Sequence, residues 1–185
     1  MLTIFLDRDG VINRKQPEND YVKSWQEFTF LPGALEGVRI LSGLAARLIV
    51  VTNQRGVARG RMREEDLLDI HERMTAAVAA AGGRIDGIYH CPHEEGACQC
   101  RKPRTGLFER AQADFPDIDF RFSLIVGDSV SDLLPGAKLG CRMALIASDE
   151  RRARVLGQAA REGIRVEISA ASLLELSHIL AAGTR

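Results

Sequence analysis

Apolar and polar residues alternate in blocks along this chain, and the blocks carry two different periods. Residues 2–6 are a short, mostly apolar run that stops at Asp7. Residues 47–52 form a second run rich in Leu, Ile and Val, 123–127 and 142–147 form two more, and 85–89 and 166–168 are weaker ones. Short apolar runs bounded by polar residues read as buried strands. The stretches between them have helical spacing: 34–46, 64–81, 105–115, 131–139, 149–161 and 171–180. In 64–81 the apolar positions fall to Leu67, Leu68, Ile70, His71, Met74, Ala77 and Val78, and Gly82-Gly83 ends the helix. Thr105 reads as a helix cap, and Pro135 argues for a late start or a distortion in 131–139.

Regular strand–helix alternation with continuously apolar strands predicts an α/β fold: a doubly wound, Rossmann-like parallel sheet with helices on both faces. With 185 residues and no repeat, low-complexity tract or linker, the chain reads as one domain over 1–185. Two segments, 13–32 and 90–103, are long, polar and rich in turn formers, which marks them as candidate functional loops.

Composition removes some functions. Lys and Arg number 25, as do Asp and Glu, so the formal net charge is zero. A nucleic-acid partner would call for a basic excess. The longest apolar runs, such as 48–51, are too short to span a bilayer. Asp7, Arg8 and Asp9 interrupt the apolar start before a signal peptide could form. The expectation is a cytoplasmic monomer with no membrane or nucleic-acid partner.

The chemistry gathers at strand ends. Ligands of a doubly wound sheet bind beyond the carboxyl ends of its strands, and three runs end at Asp7, Thr52 and Asp128. A lone Asp there is commonly turn chemistry. That explains Asp7-Arg8-Asp9-Gly10 poorly, because two carboxylates so close repel unless a cation lies between them. An oxygen-rich pocket of this kind suits Mg²⁺.

Asp7-Arg8-Asp9-Gly10-Val11-Ile12-Asn13 resembles the first motif of the haloacid dehalogenase (HAD) phosphatases. Thr52-Asn53-Gln54 resembles the second, Lys102 the third, and Gly127-Asp128-Ser129-Val130-Ser131-Asp132 the fourth. The resemblance covers essentially the whole chain and implies a HAD-like fold without a large cap domain. It implies that Asp7 is the nucleophile, that Asp9 is the general acid and base, and that Thr52 and Lys102 stabilise the phosphoryl group. It implies Mg²⁺ on the Asp7 side chain, the Asp9 backbone carbonyl and Asp128, with Asp132 orienting the metal shell or Lys102, or else capping a helix. Gly10 and Gly127 read as positions that let backbone approach the phosphate.

The loop from His90 to Cys100 holds three thiols and two imidazoles. Four such donors suit a closed, structural Zn²⁺ site. Cys91, Cys98 and Cys100 supply three, and the family pattern selects His93 over His90 as the fourth. Cys141 reads as a small core residue.

Cys-x-His with Cys-x-Cys ahead of Arg-Lys-Pro is shared by two groups of the superfamily, the heptose-bisphosphate and the histidinol-phosphate phosphatases. Thr52-Asn53-Gln54-Arg55-Gly56-Val57-Ala58-Arg59-Gly60 resembles the first group. The short interval between His93 and Cys98 is closer to the second. The resemblance therefore implies removal of the 7-phosphate of D-glycero-β-D-manno-heptose 1,7-bisphosphate, in making lipopolysaccharide heptose, with histidinol phosphate as the alternative substrate. A phosphorylatable receiver-type signalling domain is the non-enzyme alternative; Asp9, placed to activate water, argues for turnover. Asn53, Gln54, Arg55 and Arg101 are the expected substrate contacts. Arg101 is preferred for the distal phosphate over Arg55, Arg59 and Arg61, and a flap of Glu18, Asn19, Asp20 and Tyr21 is expected to close over the sugar.

Overall fold

The computed structural model describes residues 1–17 and 20–183. Six strands form one sheet: β1 (Thr3–Leu6), β2 (Arg47–Asn53), β3 (Gly87–Cys91), β4 (Ser123–Gly127), β5 (Arg142–Ile146) and β6 (Ile168–Ala170). Their order is β3-β2-β1-β4-β5-β6, and every neighbouring pair is parallel. The helices are α1 (Ala34–Leu44), α2 (Glu64–Ala80), α3 (Gly106–Asp114), α4 (Val130–Leu139), α5 (Asp149–Arg161) and α6 (Leu173–Gly183).

Successive side chains of a strand point to opposite faces, and the core divides accordingly. Ile4 and Leu6 join Val38, Leu41, Ile70, Met74, Leu173 and Leu176, so α1, α2 and α6 cover one face. Phe5 joins Leu107, Phe108, Leu133, Val155 and Ala159, so α3, α4 and α5 cover the other. The Phe5 and Phe108 rings meet edge to face, 5.1 Å between centroids. The chain builds outward from β1 through β2 to β3, then returns to β4 on the other side of β1. The switch point therefore lies between β1 and β4, where crevices of such sheets open. The register pairs Leu6 with Val126 and with Val50, which brings the residues after all three strands to one end of the sheet.

Several boundaries differ from the periodicity. The last strand is Ile168–Ala170 rather than 166–168, because its pairing with β5 starts at Ala144↔Ile168. The third is Gly87–Cys91 rather than 85–89. Helix α4 begins at Val130, so Pro135 neither delays it nor ends it and lies buried inside it. Thr105 precedes α3 but makes no capping bond; its backbone is already helical and its hydroxyl donates to Glu109 Oε1. Cys141 is buried, as a core residue should be.

Leu6 is fully buried one residue before Asp7. Leu6→Ala should cost about 2–5 kcal/mol of stability, lowering the unfolding midpoint on the order of 10 °C. Thermal or urea unfolding checks this, and an unchanged midpoint would remove β1 from the core.

Candidate active site

Asp7 follows β1, and its backbone N–H donates to the Val126 carbonyl at 2.9 Å, tying the end of β1 to the end of β4. Lys102 reaches it from the loop after β3. The Lys102 ammonium is 4% exposed as a residue and donates to Asp7 Oδ1 at 2.8 Å and to the Val51 carbonyl at 2.7 Å. It also pairs with Asp132 Oδ1 at 2.8 Å. An unpaired lysine could not be buried at this depth; here two carboxylates and a carbonyl saturate its three donors.

The same charges set the protonation states. Burial, then the nearby Asp132, Asp128 and Asp9, lift the Asp7 carboxyl to about 7 against the opposing pull of Lys102. Asp128 is raised by burial and by Asp132. Asp132 is lowered by Lys102 and by a hydrogen bond from Ser129, which outweigh its burial. Lys102 is raised by Asp132 and Asp7 in spite of burial. The sequence left Asp132 with several roles. It sits in the first turn of α4 without capping it and instead holds Lys102.

Asp9 occupies a different environment. Arg8, fully buried, pairs with it at 3.0 Å, Asn13 Nδ2 donates to Oδ1 at 2.9 Å, and Gln54 Nε2 donates to Oδ2 at 2.7 Å. Burial alone would raise its pKa, but Arg8, Asn13 and Gln54 together lower it. Two carboxylates two residues apart thus differ: Asp7 holds its proton more tightly than usual, Asp9 less. Arg8 also shares a hydrogen bond with His71 Nε2 at 3.1 Å. Burial and the neighbouring Arg8 and His90 depress His71 to about 3, so it is neutral and can accept from Arg8.

Oxygen ligands of Asp7, Asp128 and Asp132 lie within 4.8 Å of one another. Asp128 is fully buried, yet two cations reach for it: Lys15 Nζ at 3.0 Å and Arg151 Nη2 at 3.2 Å. The backbone bonds of the turn after Asp7 run to the Arg8 carbonyl from Val11, Ile12 and Asn13, and from Gly10 to the Asn13 carbonyl. Among the described residues the Asp9 carbonyl has no backbone donor. A crowded, hard-oxygen, cation-seeking cluster of this kind fits Mg²⁺. Both glycines of the motifs make room for carboxylates. Gly10 has φ +95°, and a Cβ on it would stand 2.6 Å from Asp128 Oδ2, while one on Gly127 would collide with the Asp132 side chain.

Asn53 and Gln54, expected on sugar hydroxyls, are committed largely to the protein. Asn53 Nδ2 donates to the Lys102 carbonyl at 3.1 Å and its Oδ1 accepts from the Lys102 N–H at 3.0 Å. This two-way amide clamp fixes the loop that delivers Lys102. Gln54 bridges Thr52 Oγ1, at 3.0 Å, and Asp9. Both still line a cleft of about 650 Å³, together with Tyr21 and Asp20 of the flap. Glu18 and Asn19, expected in that flap, lie outside the described residues.

Arg55 is held by Tyr21 Oη at 3.3 Å and Glu94 at 3.2 Å, and Arg59 by Glu94 at 2.9 Å. Arg61 is exposed. Arg101 lines a separate recess of about 290 Å³ beside Lys102, with its Nη1 buried and without a hydrogen-bond partner. The sequence reading missed Lys15, Arg151 and Arg154, which all line the main cleft. It also missed the hold of Arg8, Asn13 and His71 on Asp9. Arg8 and Asn13 were legible only as members of the first motif, and His71 only as an apolar-face position.

The Cys–His loop closes on itself. Cys91 Sγ lies 3.6 Å from His93 Nδ1 and 3.5 Å from Cys98 Sγ, and Cys100 Sγ lies 3.2 Å from both His93 Nδ1 and Cys98 Sγ. Four donors facing a common point have the composition of a tetrahedral site. The Arg101 N–H donates to Cys98 Sγ at 3.4 Å, tying the cluster to the segment that carries Lys102.

A buried Asp–Lys–Asp cluster beside a DxD turn, at the switch point of a parallel sheet, defines a HAD-type phosphotransfer fold. Residues 99–176 match the HAD-hydrolase-like family model. The chain is 46% identical over 131 residues to the D-glycero-alpha-D-manno-heptose-1,7-bisphosphate 7-phosphatase of Mycobacterium tuberculosis, covering 70% of this chain and 68% of that one. It is 37% identical over 167 residues to the D-glycero-beta-D-manno-heptose-1,7-bisphosphate 7-phosphatase of Bordetella bronchiseptica, covering 90% and 92%. The crystal structure of the D,D-heptose 1,7-bisphosphate phosphatase of B. bronchiseptica, complexed with magnesium and phosphate, superposes with a TM-score of 0.86 at 34% identity over 99% of each chain. The chain belongs to the HAD superfamily and, within it, to the heptose-bisphosphate phosphatase family. Among the described residues no helix is long and apolar enough to cross a membrane.

The neutral His71 gives a pH signature. Its folded pKa of about 3 lies below the unfolded value near 6.5. The unfolded chain therefore binds the extra proton as pH falls, and stability complete above 6.5 is lost between 6.5 and 3. Wild type should lose about 1–2 kcal/mol between pH 6.5 and 5 from this group. His71→Gln, which keeps an acceptor but cannot titrate, should show a correspondingly flatter dependence in urea titrations at the two pH values.

Proposed function

We propose that this chain removes the 7-phosphate of D-glycero-D-manno-heptose 1,7-bisphosphate through a phospho-aspartate on Asp7, leaving the 1-phosphate in place. The observation that carries the reading is the buried Lys102 ammonium, 2.8 Å from Asp7 Oδ1, in a chain of this family. Of the relatives named above, the M. tuberculosis one is named for the alpha anomer of this substrate and the B. bronchiseptica one for the beta anomer.

In the proposed reaction an Asp7 carboxylate oxygen attacks phosphorus. A P–O bond to Asp7 forms as the bond to the sugar oxygen breaks. Lys102 and Thr52 hold the oxygens of the transferring phosphoryl group and offset its charge. Asp9 gives its proton to the departing sugar oxygen. In the second step it takes a proton from water, whose oxygen attacks phosphorus and releases inorganic phosphate from Asp7. Resting Asp9 is held ionised by Arg8, Asn13 and Gln54; an incoming phosphate dianion raises its proton affinity, which readies it to act first as acid. The positioning belongs to Gln54 and Asn13 for Asp9, and to Asn53 and Asp132 for Lys102.

Asp7, the Asp9 carbonyl and Asp128 would hold Mg²⁺, which when bound offsets the repulsion between a carboxylate nucleophile and a phosphate dianion. Cys91, His93, Cys98 and Cys100 would hold Zn²⁺ in a closed site that orders the loop ahead of Lys102. In this reading, one domain carries both.

Phosphate release from the two anomers of heptose 1,7-bisphosphate and from histidinol phosphate tests the assignment. Faster turnover of histidinol phosphate would overturn it. Asp7→Asn should abolish turnover, and Asp9→Asn should lower kcat by about 10²–10⁴; wild-type activity in Asp7→Asn would refute the mechanism. Metal analysis of protein purified without chelators should find about one zinc per chain, the stoichiometry of one four-ligand site, and Cys98→Ser should lose it.

A further inference from the structure

Packing does not explain one side chain in the core of α2. Leu67, Ile70, Met74 and Val78 give this helix a buried apolar stripe, and His71 sits within it, 5% exposed. A polar group at a core position weakens the fold unless it serves another purpose. An aliphatic residue would fill the position without the acid sensitivity that His71 brings through its folded pKa of about 3.

The imidazole meets Arg8. Ile4, Leu6 and Arg8 continue one alternation, so Arg8 turns to the sheet face that α2 covers, where it is fully buried. Its guanidinium is anchored at two places. Nη1 bonds His71 Nε2 at 3.1 Å, and Nη2 lies 3.1 Å from Asp9 Oδ1 and 3.0 Å from Asp9 Oδ2. Nε is buried without a hydrogen-bond partner among the described residues. Asn13 and Gln54 each take one Asp9 oxygen, whereas Arg8 straddles the pair. Arg8 can fix the Asp9 carboxylate only if something other than Asp9 fixes Arg8, and His71 supplies that anchor. The His71 ring is braced in turn: it stands 5.6 Å from the ring of His90, which pairs with Glu64 in the first turn of α2.

We infer that His71 is a positioning residue for proton transfer by Asp9, and that it acts through Arg8. His71 does not line the cleft, whereas Asp9 does. Asp9 serves both half-reactions of the function proposed above, first as acid and then as base. A carboxylate free to turn would therefore slow turnover whichever half-reaction limits it. A misplacement on the order of 1 Å can cost about a hundredfold in rate, and with Asn13 and Gln54 still holding Asp9 the loss should be nearer tenfold, roughly. The inference rests on that proposed function and deepens it.

A double-mutant cycle read in kcat and KM for heptose 1,7-bisphosphate tests this. His71→Leu should lower kcat about tenfold and leave KM within about twofold, because the hold on Asp9 matters in the transition state and not in substrate binding. His71→Gln, which restores an acceptor for Arg8, should recover most of the loss. Arg8→Met should lower kcat at least as far as His71→Leu. Adding His71→Leu to Arg8→Met should then change kcat no further, because the group through which His71 acts is gone. The double variant removes both buried polar partners together, so it should fold even where His71→Leu, with Arg8 left unpaired, does not. Wild-type kcat in His71→Leu or in Arg8→Met overturns the positioning role and leaves the proposed reaction standing. So does an equal loss in His71→Gln and His71→Leu, or a further fall of about tenfold on adding His71→Leu to Arg8→Met. A wild type that releases no phosphate from the bisphosphate overturns the proposed function, and the role of His71 with it.

Discussion

One buried ammonium holds this site together. Asp7 and Asp132 approach the ends of β1 and β4 in a region that excludes water, and neither carboxylate would tolerate the other without Lys102 between them. The arrangement is mutual: the lysine is buried because it is saturated, and the acids converge because it is there. What remains uneven is useful. Asp7 is left with its pKa near neutrality, while Asp128 still draws in Lys15 and Arg151. Three carboxylates, Asp7, Asp128 and Asp132, meet three cations here, and their close-set oxygens have the composition of a divalent-ion site.

Everything around the lysine serves to place it. Asn53, at the end of β2, grips the Lys102 backbone from both sides, and Asp132 receives its head group from α4. The Cys–His loop runs directly into the same segment, and an Arg101 N–H bond to Cys98 joins the two. A zinc ion in that loop would act on catalysis only through the position of Lys102. On the opposite side, Arg8 couples Asp9 to His71 on α2, so a helix that does not line the cleft helps fix the proposed acid–base group.

Much of this was legible in the sequence, and the limits have physical causes. The sheet, its parallel sense and its two covered faces follow from apolar runs that need burial on both sides, and β1, β2 and β4 were readable for that reason. Strand β6 slipped by two residues because its three positions are set by pairing with β5, not by hydrophobicity. Asp7, Thr52 and Asp128 were found at strand ends and Asp9 and Lys102 as members of the same motifs, and the structure sets Lys102 against Asp7 and joins Thr52 to Asp9 through Gln54. Asn53 and Gln54 were expected on sugar hydroxyls as members of the second motif, and both line the cleft. Their amides are also engaged by Lys102 and Asp9, a long-range pairing that no local pattern encodes. Arg151 and Arg154 were passed over for a related reason. On a polar helix an arginine reads as solvated surface, and only the fold shows that this end of α5 borders the cleft.

The central claim is that Asp7 carries the phosphoryl group in passing. The direct measurement is rapid acid quench of enzyme turning over substrate, followed by mass spectrometry of the peptide containing Asp7, with Asp9→Asn used to slow the second step. The account expects one phosphoryl group on Asp7 that builds up within the first turnover and decays as free phosphate appears. Full-rate phosphate release with no phosphorylated enzyme at any time point would contradict it.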